Sequence, residues 1–351
     1  MLSNCRSFAS EFSRRCLTSS IFCNNDNNQQ VYLFVQNRCV HQASKMSETT
    51  HLTNKMVRMK RMNMFDAEKK RQMNLVSRIE KIAVQYEGQP EDALLYMNKN
   101  LSTPYNVCQH LGEMLIDRSA LALVNGQLWD MNRPLVEDCT LKLLHFHCDE
   151  PFHVNKAFWR SCSFMLSAAV ERAFKDDIYV ELHSFPAPNV ASGSFVCDVD
   201  LKLGHDWTPT KQEMMVFSSI MHKLAEENLP FERLVVDPKL AAEMFKDNKY
   251  KSAQIPNIAE NYENKITLYK IGDHVDISGG PMVGSTKFLG RRCTVPVAHK
   301  ISHNNVSMYR FQGVALPKDM YLNHVAFHIL EERAAQLNPA GLHTTQPVNL
   351  S

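Results

Sequence analysis

The sequence predicts an α+β protein of two unequal units carried behind a basic helix. Three observations support this reading. At 351 residues the chain exceeds the usual one-domain length. Strand, helix, hairpin and strand signals follow one another between residues 79 and 146. From about residue 155, amphipathic helical patterns alternate with short strand-like runs.

The first element, MVRMKRMNMFDAEKKRQMNLVSRIEKI, lacks Pro and Gly and is rich in helix formers. Met62, Phe65, Lys69 and Met73 share a face, which predicts a helix with a narrow apolar edge. Ile82–Tyr86 alternates as a half-buried strand does, and Pro104–Arg118 reads as one helix opening after Ser102 and Thr103. In ALALVNGQLWD, Asn125 and Gly126 tolerate positive φ between two apolar runs, which predicts a hairpin. Leu141–Phe146 is then a buried strand. The second unit opens near Asn155 with a helix whose core face is Phe158, Cys162, Met165, Ala169 and Ala173. Strands are expected at Ile178–Leu182 and Ser194–Leu201, and helices at Thr210–Asn228, ended by Pro230, and Pro238–Asn248. A Lys- and Asn-rich loop, ITLYKIGDHVDI, a Gly-rich turn, strand-like MYRFQGVAL and a helix over Met320–Leu337 complete the chain, the last stopped by Asn338-Pro339.

Composition sets the bounds. Hydrophobic content of 44% and charged content of 22% support packed cores and exclude disorder throughout. No run approaches the roughly 18 to 20 apolar residues that span a bilayer. The first 45 residues carry Arg6, Arg14, Arg15, Arg38 and Lys45 against Glu11 and Asp26 among many Ser and Asn, the pattern of a mitochondrial transit peptide removed before about Met46. Ten cysteines, scattered singly with no C-x-x-C, fit reduced thiols. The net charge of +2 is uneven: nine basic residues stand against three acidic ones over Lys55–Lys81, while 25 stand against 31 from Ile82 onward. A cationic helix of this kind either displaces counterions from a nucleic-acid backbone or is simply solvated.

The motifs offer little chemistry. ISGGPMVGSTKFLG approximates a phosphate loop, but Ser285 stands where the lysine belongs and Lys287 comes too late, so the segment reads as a tight turn. His145, His147, Cys148 and His153 lack a second ligand pair at metal-binding spacing, and the remaining histidines form no recognisable Ser/His/Asp set.

The order of elements around VNGQLWDMNRPLVEDCTLKLLHF resembles the small ubiquitin-like β-grasp (TGS) module at the N-terminus of threonyl-tRNA synthetases. FWRSCSFMLSAAVERAF resembles the first helix of that family's editing domain, YKIGDHVDISGGPMVG a later loop of it, and MYRFQGVALP the exit toward the synthetase core; the likeness spans about residues 79 to 337. It implies a β-grasp domain followed by a larger α+β editing-like domain. The family's chemistry is missing from both motifs. Where the editing helix carries His-x-x-x-His this chain has Arg160 and Phe164, and where the loop carries Cys and His it has Ser278 and Met282. Arg stays protonated, and Phe neither binds metal nor moves protons. Only 14 residues follow Leu337, too few for an aminoacylating core.

With its basic helix and import signal, and with TPYNVCQHLGEMLIDRSALALVNGQLWDM and NKAFWRSCSFMLSAAVERAFKDD, the chain resembles the family of mitochondrial large-subunit ribosomal protein thirty-nine. That resemblance implies a structural component of the mitochondrial large ribosomal subunit in the matrix, with no catalytic residue, metal or cofactor. Its implied partners are large-subunit ribosomal RNA and neighbouring ribosomal proteins, with no membrane span and no DNA. The expected divisions are 1–45 (transit peptide), 46–78 (basic arm), 79–148 (TGS-like), 149–318 (editing-like) and 319–351 (C-terminal helix and tail). Arg58, Lys60, Arg61, Lys69, Lys70 and Arg71 are expected on RNA phosphates. Neutralising them should then weaken incorporation and leave the body folded. Two other readings stand beside this one: a free-standing mitochondrial aminoacyl-tRNA deacylase with a rebuilt site, and a tRNA- or messenger-binding factor off the ribosome.

Overall fold

The computed structural model describes residues 53–203, 206–303 and 306–342; the expected transit peptide and most of the C-terminal tail lie outside the described residues. The chain opens with helix α1 (Asn54–Asn74), started by the Thr53 side chain, which accepts from the Met56 N–H. Its buried positions are Asn54, Val57, Arg61 and Phe65. The inward face is therefore more polar than the expected Met62–Met73 edge, and Met73 is 54% exposed.

A five-stranded sheet follows, in the order β2-β1-β5-β3-β4. β1 (Lys81–Tyr86) turns Ile82, Val84 and Tyr86 inward, as its alternation requires. It pairs antiparallel with β2 (Ala93–Asn98) and parallel with β5 (Cys139–Leu144). β3 (Leu121–Val124) and β4 (Gln127–Trp129) form the expected hairpin, with Asn125 at φ 50° and Gly126 at φ 75°. The single helix expected over Pro104–Arg118 is two: α2 (Pro104–Leu111) and α3 (Glu113–Arg118). They break at Gly112, whose φ of 153° no helix accommodates. A reciprocal Thr103–Asn106 capping box starts α2.

The second unit is built on α4 (Phe152–Ala173), buried on nearly all sides between α5 (Lys211–Glu226) and a sheet in the order β11-β12-β7-β6. Those strands are β6 (Val180–Ser184), β7 (Phe195–Leu201), β11 (Leu289–His303) and β12 (Val306–Pro317). β11 escapes sequence reading because Pro296 sits inside it, and the register shift between Thr294 and Val297 accommodates the missing N–H. A three-stranded sheet, β8 (Glu232–Val236), β9 (Ile266–Ile271) and β10 (His274–Ile277), carries α6 (Pro238–Met244) and α7 (Lys249–Asn261). The Lys- and Asn-rich segment expected as a loop is largely α7, a helix kept despite Pro256 because Ile255 and Ala259 are buried and Asn248 caps its first N–H groups. The last helix, α8 (His324–Ala335), starts four residues later than expected, at an Asn323 cap.

Three apolar cores result, one per sheet, and Phe65 of α1 is 0% exposed within the core of the β8–β10 sheet. The β-grasp unit is locked to the body by Asn132, whose side-chain amide donates to the Phe231 carbonyl (3.0 Å) and the Gly284 carbonyl (2.7 Å).

Candidate functional site

The residues at the editing-helix and editing-loop positions lie on α4 and on the turn after β10. Arg160 and Phe164 are one helical turn apart, so their side chains leave the same face of α4. Arg160 Nη1 donates to the Pro281 carbonyl at 2.8 Å, and burial pulls the guanidinium below its usual range. Phe164 is 1% exposed. Its ring is enclosed by Phe185 (6.2 Å between centroids), Phe231 (5.9 Å), Tyr269 (6.5 Å) and His274 (4.8 Å). Met282, also 1% exposed, gives its N–H to Asp130 at 2.9 Å, while its sulfur lies 3.5 Å from the Ser161 hydroxyl. Ser278 is half-buried, and its hydroxyl accepts from the Gly280 N–H at 3.4 Å.

The turn is pressed close onto the core. Gly280 has φ 61°, and a Cβ there would lie 1.9 Å from the Tyr269 hydroxyl. That hydroxyl donates to Asp130 at 2.8 Å. Burial raises both the Asp130 carboxyl and the Tyr269 phenol above their ordinary ranges. Arg160 thus reaches the turn that carries Met282, and Phe164 and Met282 are both buried in the same apolar core. A cleft of about 880 Å³ elsewhere in the molecule is lined by none of these residues.

One further turn along α4 lies a constellation that sequence reading could not assemble. Ser167 Oγ is 2.9 Å from His274 Nε2, and His274 Nδ1 is 2.7 Å from Glu171 Oε2. These are the spacings of a nucleophile, a base and an orienting carboxylate. The burial and polarity are wrong for that role. Ser167 and His274 are both 0% exposed, and the Ser167 hydroxyl donates to the Phe164 carbonyl at 2.7 Å. Burial alone would raise the Glu171 carboxyl, but His274, and behind it Arg61 and Arg58, hold it below the usual range.

Four of the six cations expected on RNA face the protein's own body. Arg58 Nε is 2.9 Å from Asp273, and its Nη1 donates to the Glu171 carbonyl at 2.8 Å. Lys60 pairs with Asp247 at 2.7 Å, and Lys69 with Glu232 at 2.5 Å. Arg61 is 3% exposed, with Nη1 3.4 Å from Glu171. Lys270 returns the favour, reaching Asp66 of α1 at 2.5 Å. Only Lys70 and Arg71 lie outward, Arg71 sharing Glu68 at 2.7 Å with its side chain 60% exposed. Four of the six are thus engaged by carboxylates of the body, so their neutralisation would also remove contacts between α1 and the rest of the chain. Composition reveals how many cations the arm has and not which carboxylates neutralise them.

The histidines just past β5 gather no ligand set. His145 Nδ1 accepts from the His147 N–H at 3.2 Å, and among the described residues no group of three or more His, Cys, Asp or Glu is placed to hold a metal ion. Among the described residues no helix is long and apolar enough to cross a membrane.

Comparison with known proteins adds to this geometry. A family model described as the TGS domain matches residues 89–145. A large ribosomal subunit protein mL39 of Drosophila melanogaster is 55% identical over 286 residues, covering 81% of this chain and 85% of that protein. A probable cytoplasmic threonine–tRNA ligase 1 of Dictyostelium discoideum is 32% identical over 57% of this chain and 26% of its own length. A threonine–tRNA ligase of Thermotoga maritima is 31% identical over 66% of this chain and 34% of its own length. The chain spans about a third or less of these two ligases and most of the mL39 protein.

Proposed function

The chain belongs to the mL39 family of large ribosomal subunit proteins, and from that membership we propose that it is a structural, non-catalytic component of the mitochondrial ribosome's large subunit in the matrix. The observation that supports the non-catalytic part is the filled volume around Phe164. A deacylase needs a cavity for the aminoacyl end and a group that moves a proton to or from water. Phe164 and Met282 occupy the first requirement, and Arg160, donating to the Pro281 carbonyl, does not meet the second. The Ser167–His274–Glu171 set has suitable chemistry but is sealed. The editing-like fold then serves as a rigid block whose outer surfaces meet ribosomal RNA and neighbouring proteins.

Within this reading, contact with RNA phosphates falls to Lys70 and Arg71, the outward pair of the arm, while Arg58, Lys60, Arg61 and Lys69 set the arm's position. Two measurements test the proposal. On a sucrose gradient of mitochondrial extract the chain should travel with the large subunit, and purified chain should leave mischarged threonine tRNA intact. Deacylation above background, or a peak away from the large-subunit fractions, overturns it.

A further inference from the structure

A cleft of about 880 Å³ lies between the C-terminal end of α1, the β-grasp unit and β8. Two independent features describe what fits it. The first is its floor. β8 is an edge strand of its sheet. The Ser278 N–H donates to the Thr267 carbonyl, so Thr267 and Tyr269 direct their backbone groups toward β10. Their partners in register, Val235 and Arg233, therefore direct theirs away from β9, into the cleft. Side chains cap the two ends of this edge: Asn132 takes the Phe231 carbonyl at 3.0 Å and Gln72 takes the Val235 carbonyl at 2.8 Å. Between those caps the N–H and C=O of Arg233 stand open.

The second feature is the chemistry of the walls. Five cations and two carboxylates line the cleft, and Glu232 and Glu80 already pair with Lys69 and Lys99. Arg233 Nε lies 3.8 Å from the Asp130 carboxylate and its Nη2 donates to the Thr267 hydroxyl, which leaves Arg78 and Arg133 in excess of the carboxylates on the walls. Arg133 lies over the Trp129 ring at 3.4 Å, and burial together with the charge of Arg233 holds its guanidinium below the usual range. Leu101, Pro134 and Val136 give the opposite wall an apolar surface, Val136 being 45% exposed. Among the lining residues there is no aromatic ring, so the stacking platform on which single-stranded RNA is held is lacking.

We propose that this cleft receives an extended, acidic segment of a neighbouring protein, which pairs with the open backbone edge of β8 at Arg233 and sets its carboxylates against Arg78 and Arg133. Backbone pairing supplies the alignment, the apolar wall takes alternate side chains, and the arginines select for acidic sequence. The proposal rests on the ribosomal reading above, which supplies the neighbour.

The experiment uses large subunits purified from a gradient after incorporation of the full chain with a benzophenone amino acid at Val136, paired with hydrogen exchange over residues 232–236. Irradiation should link Val136 to a protein segment richer in Asp and Glu than in Lys and Arg. Exchange at Arg233 should be about tenfold slower in the subunit than in the free chain. Arg78→Glu, an exposed change remote from the cores, should lower the cross-link yield by about threefold. A cross-link to ribosomal RNA, or unchanged exchange at Arg233 in the assembled subunit, overturns the inference and leaves the ribosomal reading intact. Absence of the chain from the large-subunit fraction, seen before any irradiation, overturns both.

Discussion

Replacing Phe164 with Ala tests whether the interior beside α4 is solid core. The ring is 1% exposed and touches four other rings, with His274 at 4.8 Å and Phe231 at 5.9 Å between centroids. Truncating a buried Phe removes its transfer free energy and leaves a cavity, a loss of about 3 to 5 kcal/mol. Each lost edge-to-face contact adds about 0.5 to 1.5 kcal/mol, so the upper half of that range is expected. Urea unfolding of the full chain, wild type against F164A, measures the difference. A small apolar ligand such as benzene should restore part of the loss, because a cavity walled by Phe185, Phe231 and Tyr269 stays dry. A loss below about 1 kcal/mol would show that the ring is a lid over an open pocket rather than filling, and the argument against catalysis would fall with it.

Three further outcomes follow from the same contacts. Phe65→Ala, at a position 0% exposed, should cost about 3 to 5 kcal/mol and make α1 the first site of cleavage in limited proteolysis; cleavage starting elsewhere at an unchanged rate would contradict the arm's place in the core. Acid should release the arm. Asp273, Glu171 and Glu232 all have carboxyls held below their ordinary range, burial opposing and the α1 cations among the groups favouring the charged form. Folded values below unfolded ones mean the stabilisation is complete above the unfolded carboxylate range, about pH 4 to 4.5, and is lost as pH falls through the folded values. Protection factors along α1, each referred to the intrinsic exchange rate at that pH, should therefore be flat from neutral to about pH 5 and fall below that, and loss of protection on raising the pH would refute the pairing scheme. Gly280→Ala should cost more than about 1 kcal/mol in a thermal melt, since φ is 61° and the new Cβ meets the Tyr269 hydroxyl; a neutral result would mean the turn is not pressed against that ring.

Elements specified by local sequence were legible. The Asn125-Gly126 hairpin, the alternation of Ile82–Tyr86 and the Thr103 helix start depend on residues within a few positions of one another, and each stands where expected. Elements whose stability comes from distant packing were not. Pro256 argues against a helix that burial of Ile255 and Ala259 nevertheless holds, and Pro296 argues against a strand that a register shift accommodates. β2 was missed because its apolar run Ala93–Met97 shows no alternation in sequence, although Leu94 and Tyr96 are 55% and 67% exposed and Met97 is buried. The degenerate positions Arg160, Phe164, Ser278 and Met282 were readable only through family resemblance, which aligned them without saying that three of them are packed together. Ser167, Glu171 and His274 carried no signal, because the contacts join residues 107 and 103 positions apart.

The face of α4 that in the resembling editing helix presents imidazoles has become a continuous line of internal attachments. Positions 160, 164, 167 and 171 follow one another at three- and four-residue steps, so they share one face. Arg160 holds the Gly-rich turn, Phe164 fills the space behind it, Ser167 and Glu171 fix His274 of β10, and Glu171 with its carbonyl receives Arg61 and Arg58 of α1. Catalysis and rigidity make opposite demands on such a face. A deacylating pocket needs room for substrate and water beside the polar groups, whereas a scaffold is strongest when that room is gone and every polar group has a protein partner. Along this face of the helix Arg160, Ser167 and Glu171 each have a protein partner, while the Trp159 indole N–H next to them is buried without one. Glu171 joins α1, α4 and β10 at one carboxylate, so the arm, the helix and the small sheet meet at this side chain.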